Sequence, residues 1–147
     1  MSRQSASTVI DRLPQEVFDY MDDISREGEW QPSLRRAEQD PPGPSRVGTR
    51  KRYESEFLGR ELRNTYVVVE LVPGRKVVCE TTKDSAVNAR TEVTCEPSGN
   101  GTKVTMVIEG KPRGFMKLMP ATVLEATYRK ELTSALARLK VSLEDGA

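Results

Sequence analysis

YESEFLGRELRNTYVVVELVPGRKVVCET, residues 53–81, is the stretch whose reading decides the fold. It parses as strand, turn, strand, turn, strand. Through Tyr53–Phe57 and again through Leu62–Val68, side chains alternate in the two-residue period of a strand with one covered face. Leu58-Gly59-Arg60-Glu61 and Val72-Pro73-Gly74-Arg75 supply the turn chemistry between them. Folding the stretch about the first turn sets Phe57 against Leu62, Ser55 against Asn64 and Tyr53 against Tyr66. Folding it about the second sets Val68 against Cys79 and Tyr66 against Thr81. A third hairpin, turning at Ser98-Gly99-Asn100-Gly101, sets Val93 against Met106 and Cys95 against Val104.

Opposed residues share a face. The expected inner face therefore holds Tyr53, Ser55, Phe57, Leu62, Asn64, Tyr66, Val68, Val77, Cys79, Thr81, Val93, Cys95, Val104, Met106 and Ile108. The outer face holds Arg52, Glu54, Glu56, Arg63, Glu80, Arg90, Glu92, Lys103 and Glu109. This is the division a half-covered antiparallel sheet requires. Val67, Val69, Leu71 and Val78 break it by facing outward. Either a β-bulge re-aims them or they form a homodimer surface.

Outward from this core, Ser5 to Asp11 alternates weakly and reads as a first strand. Pro14 suits the first turn of a helix over residues 14–23, with Val17, Phe18 and Met21 as its apolar stripe. A second helical turn covers Ile24 to Glu29 and ends at Trp30-Gln31-Pro32. Leu34 to Gln39 is a short strand, and Pro41-Pro42-Gly43-Pro44 a stiff loop. Asp84 to Asn88 is a looser connection. Residues 115–143 read as a long helix, with Ala121, Leu124, Tyr128, Leu132, Ala135 and Leu139 on one stripe. Pro120 either kinks this helix or marks its start. The class is α+β, in a single domain spanning residues 1–147.

Composition limits the function. Hydrophobic residues make up 36% and charged residues 31% of 147 positions, and the net charge is +1. No global field draws in nucleic acid. The basic run Arg50, Lys51, Arg52 is interleaved with acidic residues and reads as a solvated face. No apolar run reaches membrane-spanning length, so no stable membrane insertion is expected. The polar Met1–Thr8 lacks a secretory pattern, which makes the cytoplasm the expected location. Histidine is absent and the two cysteines are isolated, so neither a metal site nor a cofactor is expected. Cys79 and Cys95 are expected nearly opposite one another, as buried thiols.

The order of strand, two short helices, antiparallel strands and long helix resembles the START-like (SRPBCC) superfamily, within it the polyketide cyclase/dehydrase and lipid-transport group. The resemblance is carried by Leu13-Pro14-Gln15-Glu16-Val17-Phe18-Asp19-Tyr20, Trp30, Val47-Gly48-Thr49 and Glu70-Leu71-Val72-Pro73-Gly74-Arg75. Gly101-Thr102-Lys103-Val104-Thr105 and Leu136-Ala137-Arg138-Leu139-Lys140 complete it. It implies a helix-grip fold, a curved sheet wrapped around the C-terminal helix with an apolar cavity between. Members bind lipids, sterols, polyketides, plant hormones or quinones, and some are cyclases or aromatases.

Trp30 is similar in place to a family tryptophan at the cavity mouth; it could equally be core. Tyr53 and Tyr66 form an inward aromatic pair, as site or as packing. Ser55 and Asn64 are polar groups among apolar ones, to be satisfied by a ligand or by neighbouring backbone. Val68, Met106, Met116, Met119 and Leu124 are candidate apolar walls or plain core, and Tyr128 reaches in from the helix. Glu131 is the one carboxylate considered as a buried acid or base, its alternative being an exposed ion pair. Gly110-Lys111-Pro112-Arg113-Gly114 is either a mobile gate or an ordinary loop. The small inward residues Ser55, Val68, Cys79, Thr81, Val93 and Cys95 leave room for a void. The expected partner is a small hydrophobic ligand. The alternatives are a cyclase or aromatase acting on a poly-ketone, and an interaction module using the outward valines.

Overall fold

A computed structural model describes residues 2–146. Nine elements frame the site: β1 (Ser2–Ile10), α1 (Pro14–Asp22), β2 (Leu34–Asp40), β3 (Arg50–Phe57), β4 (Arg60–Val72), β5 (Lys76–Thr81), β6 (Asn88–Ser98), β7 (Gly101–Lys111) and α2 (Ala121–Gly146). Single 3₁₀ turns, Ile24–Glu29 and Gly114–Leu118, precede β2 and α2. The strands form one antiparallel sheet in the order β1-β7-β6-β5-β4-β3-β2. The sheet curves around α2, the helix-grip arrangement.

The expected inner and outer faces hold, with three corrections to register. The β3–β4 turn is shorter than the sequence implied. Phe57 pairs with Arg60, Ser55 with Leu62 and Tyr53 with Asn64. Only Leu58 and Gly59 lie between, at φ 52 and φ 78, the doubly positive pattern of a two-residue hairpin turn. The shift is by two residues, so every side chain keeps its face.

The second correction is a bulge in β4. Val68 pairs with Cys79, but Glu70 pairs with Val78 and Leu71 with Val77, leaving Val69 unpaired. The extra residue turns Leu71 inward, where it packs against the core. Val69 stays outside and exposed. Val78, though outward, is fully buried; Lys76, on the same face, bridges Glu70 and Glu92 on either side of it.

Third, Cys79 faces Thr91 rather than the neighbourhood of Cys95. The backbone N–H of Cys95 instead donates to the Arg75 carbonyl. Both thiols are free and buried, and burial raises their pKa values, that of Cys95 to about 11.

Pro120 marks the helix start: its carbonyl accepts the first turn's N–H groups from Val123 and Leu124. The buried stripe accordingly runs from Leu124 through Leu132, Ala135, Leu136 and Leu139 to Leu143, while Ala121 is exposed. β1 starts at Ser2, earlier than the weak alternation indicated, because pairing with β7 extends to Ser2–Gly110. Where β1 leaves the sheet, Gly101 is indispensable. A β-carbon there would lie 2.4 Å from the Ile10 carbonyl oxygen.

Two core clusters form under the curve. One joins Ile10, Val17, Phe18, Met21 and Trp30 to Ala135, Leu136, Leu139 and Leu143. The other joins Phe57, Leu62, Val87 and Ala89 to Met116 and Leu124. Among the described residues, no helix is long and apolar enough to cross a membrane.

Two measurements check this packing. Leu139 is fully buried at the centre of the first cluster, so Leu139→Ala should lower unfolding free energy by about 2–5 kcal/mol in denaturant titration. Leu58 occupies a left-handed conformation that costs an ordinary residue about 1–2 kcal/mol. Leu58→Asn, giving the Asn-Gly pair such turns favour, should therefore raise the midpoint of the same titration.

Candidate ligand cavity

Between the two clusters lies a cavity of about 270 Å³. Its floor is the concave sheet face and its roof is the middle of α2, Tyr128 to Ala135. Phe18, Met21 and the Ile24–Glu29 turn close one side. The void exists because the facing side chains are small where one helix spans the sheet. Ser55, Cys79, Thr91 and Val93 lie beneath it, and Ala135 above.

Of the residues expected to line it, Trp30, Tyr53, Ser55, Asn64, Tyr66, Met106 and Tyr128 do so. Tyr53 and Tyr66 are diagonal rather than opposed, and meet edge to face with ring centroids 5.7 Å apart. Tyr128 packs on Phe57 at 5.4 Å. Burial raises the pKa of all three tyrosines, keeping them neutral.

Val68, Met116, Met119 and Leu124 do not line the cavity. Val68 is fully buried where the chain leading into β3 folds over it, its backbone bonded to Gly48 and Thr49. Met116 and Leu124 are core of the second cluster, with Met119 packed against it, because α2 begins only at Ala121 and its first turn lies beyond the void. Asn64 has less freedom than expected: its Oδ1 accepts the Val87 backbone N–H at 3.1 Å. The Gly110–Gly114 segment is no free gate, since the Arg113 guanidinium donates to the carbonyls of Lys83 and Ser85, each at 2.9 Å. Glu131 does line the cavity, but its partner is neither basic neighbour. Ser33 donates to its Oε1 at 2.7 Å, bridging the segment before β2 to α2.

The sequence reading missed a buried polar cluster at the cavity's end. Asp23 caps the 3₁₀ turn by accepting from the Ser25 backbone N–H. The tight turn then sends Arg26 and Glu29 to solvent, where they pair, and Glu27 inward, only 4% exposed. Its Oε1 accepts the Tyr53 hydroxyl at 2.8 Å. Beside it, Lys51 reaches Asp22 Oδ1 at 3.3 Å, with side chains only 6% and 11% exposed. Asp22 Oδ2 also accepts the Ser45 backbone N–H. Lys51 is thus buried, not part of a solvated basic face. One signal could have found it: Lys51 alternates in step with Tyr53, Ser55 and Phe57.

Burial pushes the Glu27 carboxyl up to about 7, against the opposing pull of Lys51 and the Tyr53 hydrogen bond. The cavity thus offers a mostly apolar wall, one tunable carboxyl and a neighbouring ion pair. Among the described residues, no group of three or more His, Cys, Asp or Glu side chains could hold a metal.

A curved antiparallel sheet gripping a helix over a partly polar cavity defines a helix-grip protein of the START-like class. The chain belongs to the polyketide cyclase / dehydrase and lipid transport family, whose sequence profile matches residues 1–144. Solved structures agree in fold. A START superfamily protein from Mycobacterium smegmatis superposes with a TM-score of 0.82 at 12% identity, over 99% of each chain. Zhui aromatase/cyclase from Streptomyces sp. R1128 gives 0.79 at 12% identity, over 99% of this chain and 98% of its own. The Aha1 dimer from Colwellia psychrerythraea gives 0.71 at 17% identity, over 99% and 98%. No curated protein matches in sequence.

Glu27 makes stability depend on pH with a definite sign. Its folded pKa lies above the ordinary 4.5, so its neutral form is favoured by folding, and stability falls as pH rises from about 4.5 through about 7. The full difference corresponds to roughly 3 kcal/mol. Chemical denaturation of Glu27→Gln and parent across this range should show the variant gaining on the parent as pH rises.

Proposed function

We propose that the chain binds a small, predominantly apolar molecule between the sheet and α2. The observation that carries this reading is the cavity itself: unfilled space in a core, walled mostly by apolar and aromatic side chains, with a few polar groups among them, Glu27 and Glu131 included. Such a distribution orients a ligand without consuming it. Trp30, Tyr53, Ser55, Tyr66, Met106 and Tyr128 would form the wall, with the Asn64 amide at its edge. Family membership supports the same reading. The volume sits just under the range of about 300–1,000 Å³ usual for drug-sized sites. It favours a compact molecule, such as a quinone-like ring or a short cyclised polyketide, over an extended acyl chain.

A second reading has one specific observation behind it. A carboxyl held near neutrality beside a phenol can exchange protons with a substrate, and Glu27 is so placed. In a cyclase-type reaction it would take the proton from a carbon flanked by carbonyls. Turnover of a short poly-ketone thioester, abolished in Glu27→Gln while binding persists, would mark the chain as an enzyme.

The binding reading is tested by filling the void. An environment-sensitive apolar dye should bind the parent saturably and be displaced by a small quinone. Ser55→Phe and Met106→Trp should each weaken that binding at least about tenfold, while circular dichroism and cooperative melting persist. Dye binding unchanged in both variants would remove the cavity as the site.

A further inference from the structure

We propose that the Glu27 carboxylate is the polar anchor of the cavity, and that the preferred ligand is a neutral apolar molecule ending in a hydroxyl group. The inference rests on the binding reading above and names the chemistry that reading leaves open. Glu27 is almost fully buried, yet lines the void. The other charged groups at that end, Lys51 and Asp22, are bonded to each other. Glu27 Oε1 accepts from Tyr53. A carboxylate has about four acceptor positions, so capacity remains for a donor arriving from the cavity.

The site already displays the kind of donor it accepts, the phenolic hydroxyl of Tyr53. A second hydroxyl would complete the carboxylate's coordination and recover part of the desolvation that raises its pKa. An ammonium group would have to shed far more hydration to enter an apolar void, and would meet Lys51. An anion would meet Asp22 and Glu27 together. The titratable groups around Glu27 come from each element packed there: Asp22 on α1, Lys51 and Tyr53 on β3, and Cys79 on β5. Glu131, on α2, also lines the cavity. Burial pushes the Glu27 carboxyl up to about 7, so the anchor is made as pH rises through that value and lost below it.

The test compares para-propylphenol, propylbenzene and phenylpropylamine by isothermal titration calorimetry on the full chain. At about pH 8 the phenol should bind about tenfold or more tighter than propylbenzene, as expected for a charge-assisted hydrogen bond in an apolar site. That advantage should shrink toward about pH 6, where Glu27 is protonated, while propylbenzene affinity stays constant. Glu27→Gln should abolish the phenol's advantage and its pH dependence, with circular dichroism and cooperative melting showing that the variant is folded. Tyr53→Phe removes a hydrogen bond that holds the Glu27 pKa down, and should move the transition to higher pH. A phenol that binds no better than propylbenzene, or an advantage surviving in Glu27→Gln, would overturn the anchor while leaving the cavity reading intact. Tightest binding by phenylpropylamine would replace the hydroxyl with a cation and overturn the proposal. If none of the three compounds binds the parent, the cavity reading itself fails.

Discussion

One helix cannot cover the concave face of a seven-stranded sheet. α2 buries a single stripe, from Leu124 to Leu143, and the sheet beneath is wider than that stripe. The chain meets this constraint by building two core clusters, one toward each end of the helix. α1 and the first 3₁₀ turn fill one flank, and the Gly114–Leu118 turn the other. What remains between them is a void, and every notable property of the site follows from its being interior space.

The electrostatics illustrate this. On a surface, Glu27, Asp22 and Lys51 would be unremarkable solvated charges. Inside, each must find a partner, because an unpaired buried charge costs several kcal/mol. Asp22 and Lys51 satisfy each other, and Asp22 also receives a backbone N–H from Ser45. Glu27 receives only neutral donors, and responds by holding its proton to about pH 7. A short, capped 3₁₀ turn is what forces this arrangement, since its tight winding directs Glu27 inward when its neighbours point out.

How much of this was legible in the sequence follows from what each signal encodes. Alternation fixes which face a side chain takes, and it divided β3 through β7 correctly except beyond the bulge, where Leu71 turns inward. It does not fix hairpin length. Leu58 in a left-handed conformation carries no turn signature of its own, so the β3–β4 turn was read two residues too long. The bulge at Val69 could be anticipated only as a conflict, four apolar residues on the outer face, and pairing geometry resolves it for Leu71 alone. For the cavity, aromatic and small inward residues were readable, and Tyr53, Ser55, Tyr66 and Met106 came from register alone. Charged residues were assigned to solvent by type. Lys51 was hidden in a basic run despite its inward phase, and Glu27 sat in a short turn with no periodicity to place it. The methionines of the Gly114–Leu118 turn and its flank were misplaced for a related reason: Pro120 was compatible with either a kinked or a late-starting helix, and the late start moves them off the void.

The strand order carries a consequence for how the chain comes to be folded at all. β1 precedes the other strands of the sheet in sequence, yet among the described residues it pairs with β7 alone, with Ser2 opposite Gly110 and Ile10 opposite Thr102. The hairpins from β2 to β7 can close as they emerge, each from residues close in sequence. β1 must wait until β7 has been made. Its composition suits that interval. Ser2-Arg3-Gln4-Ser5-Ala6-Ser7-Thr8 is extended but almost devoid of large apolar side chains, so it can stay solvated without adhering to other nascent chains. The weak alternation that made this strand the hardest to read is thus the property that lets it arrive last.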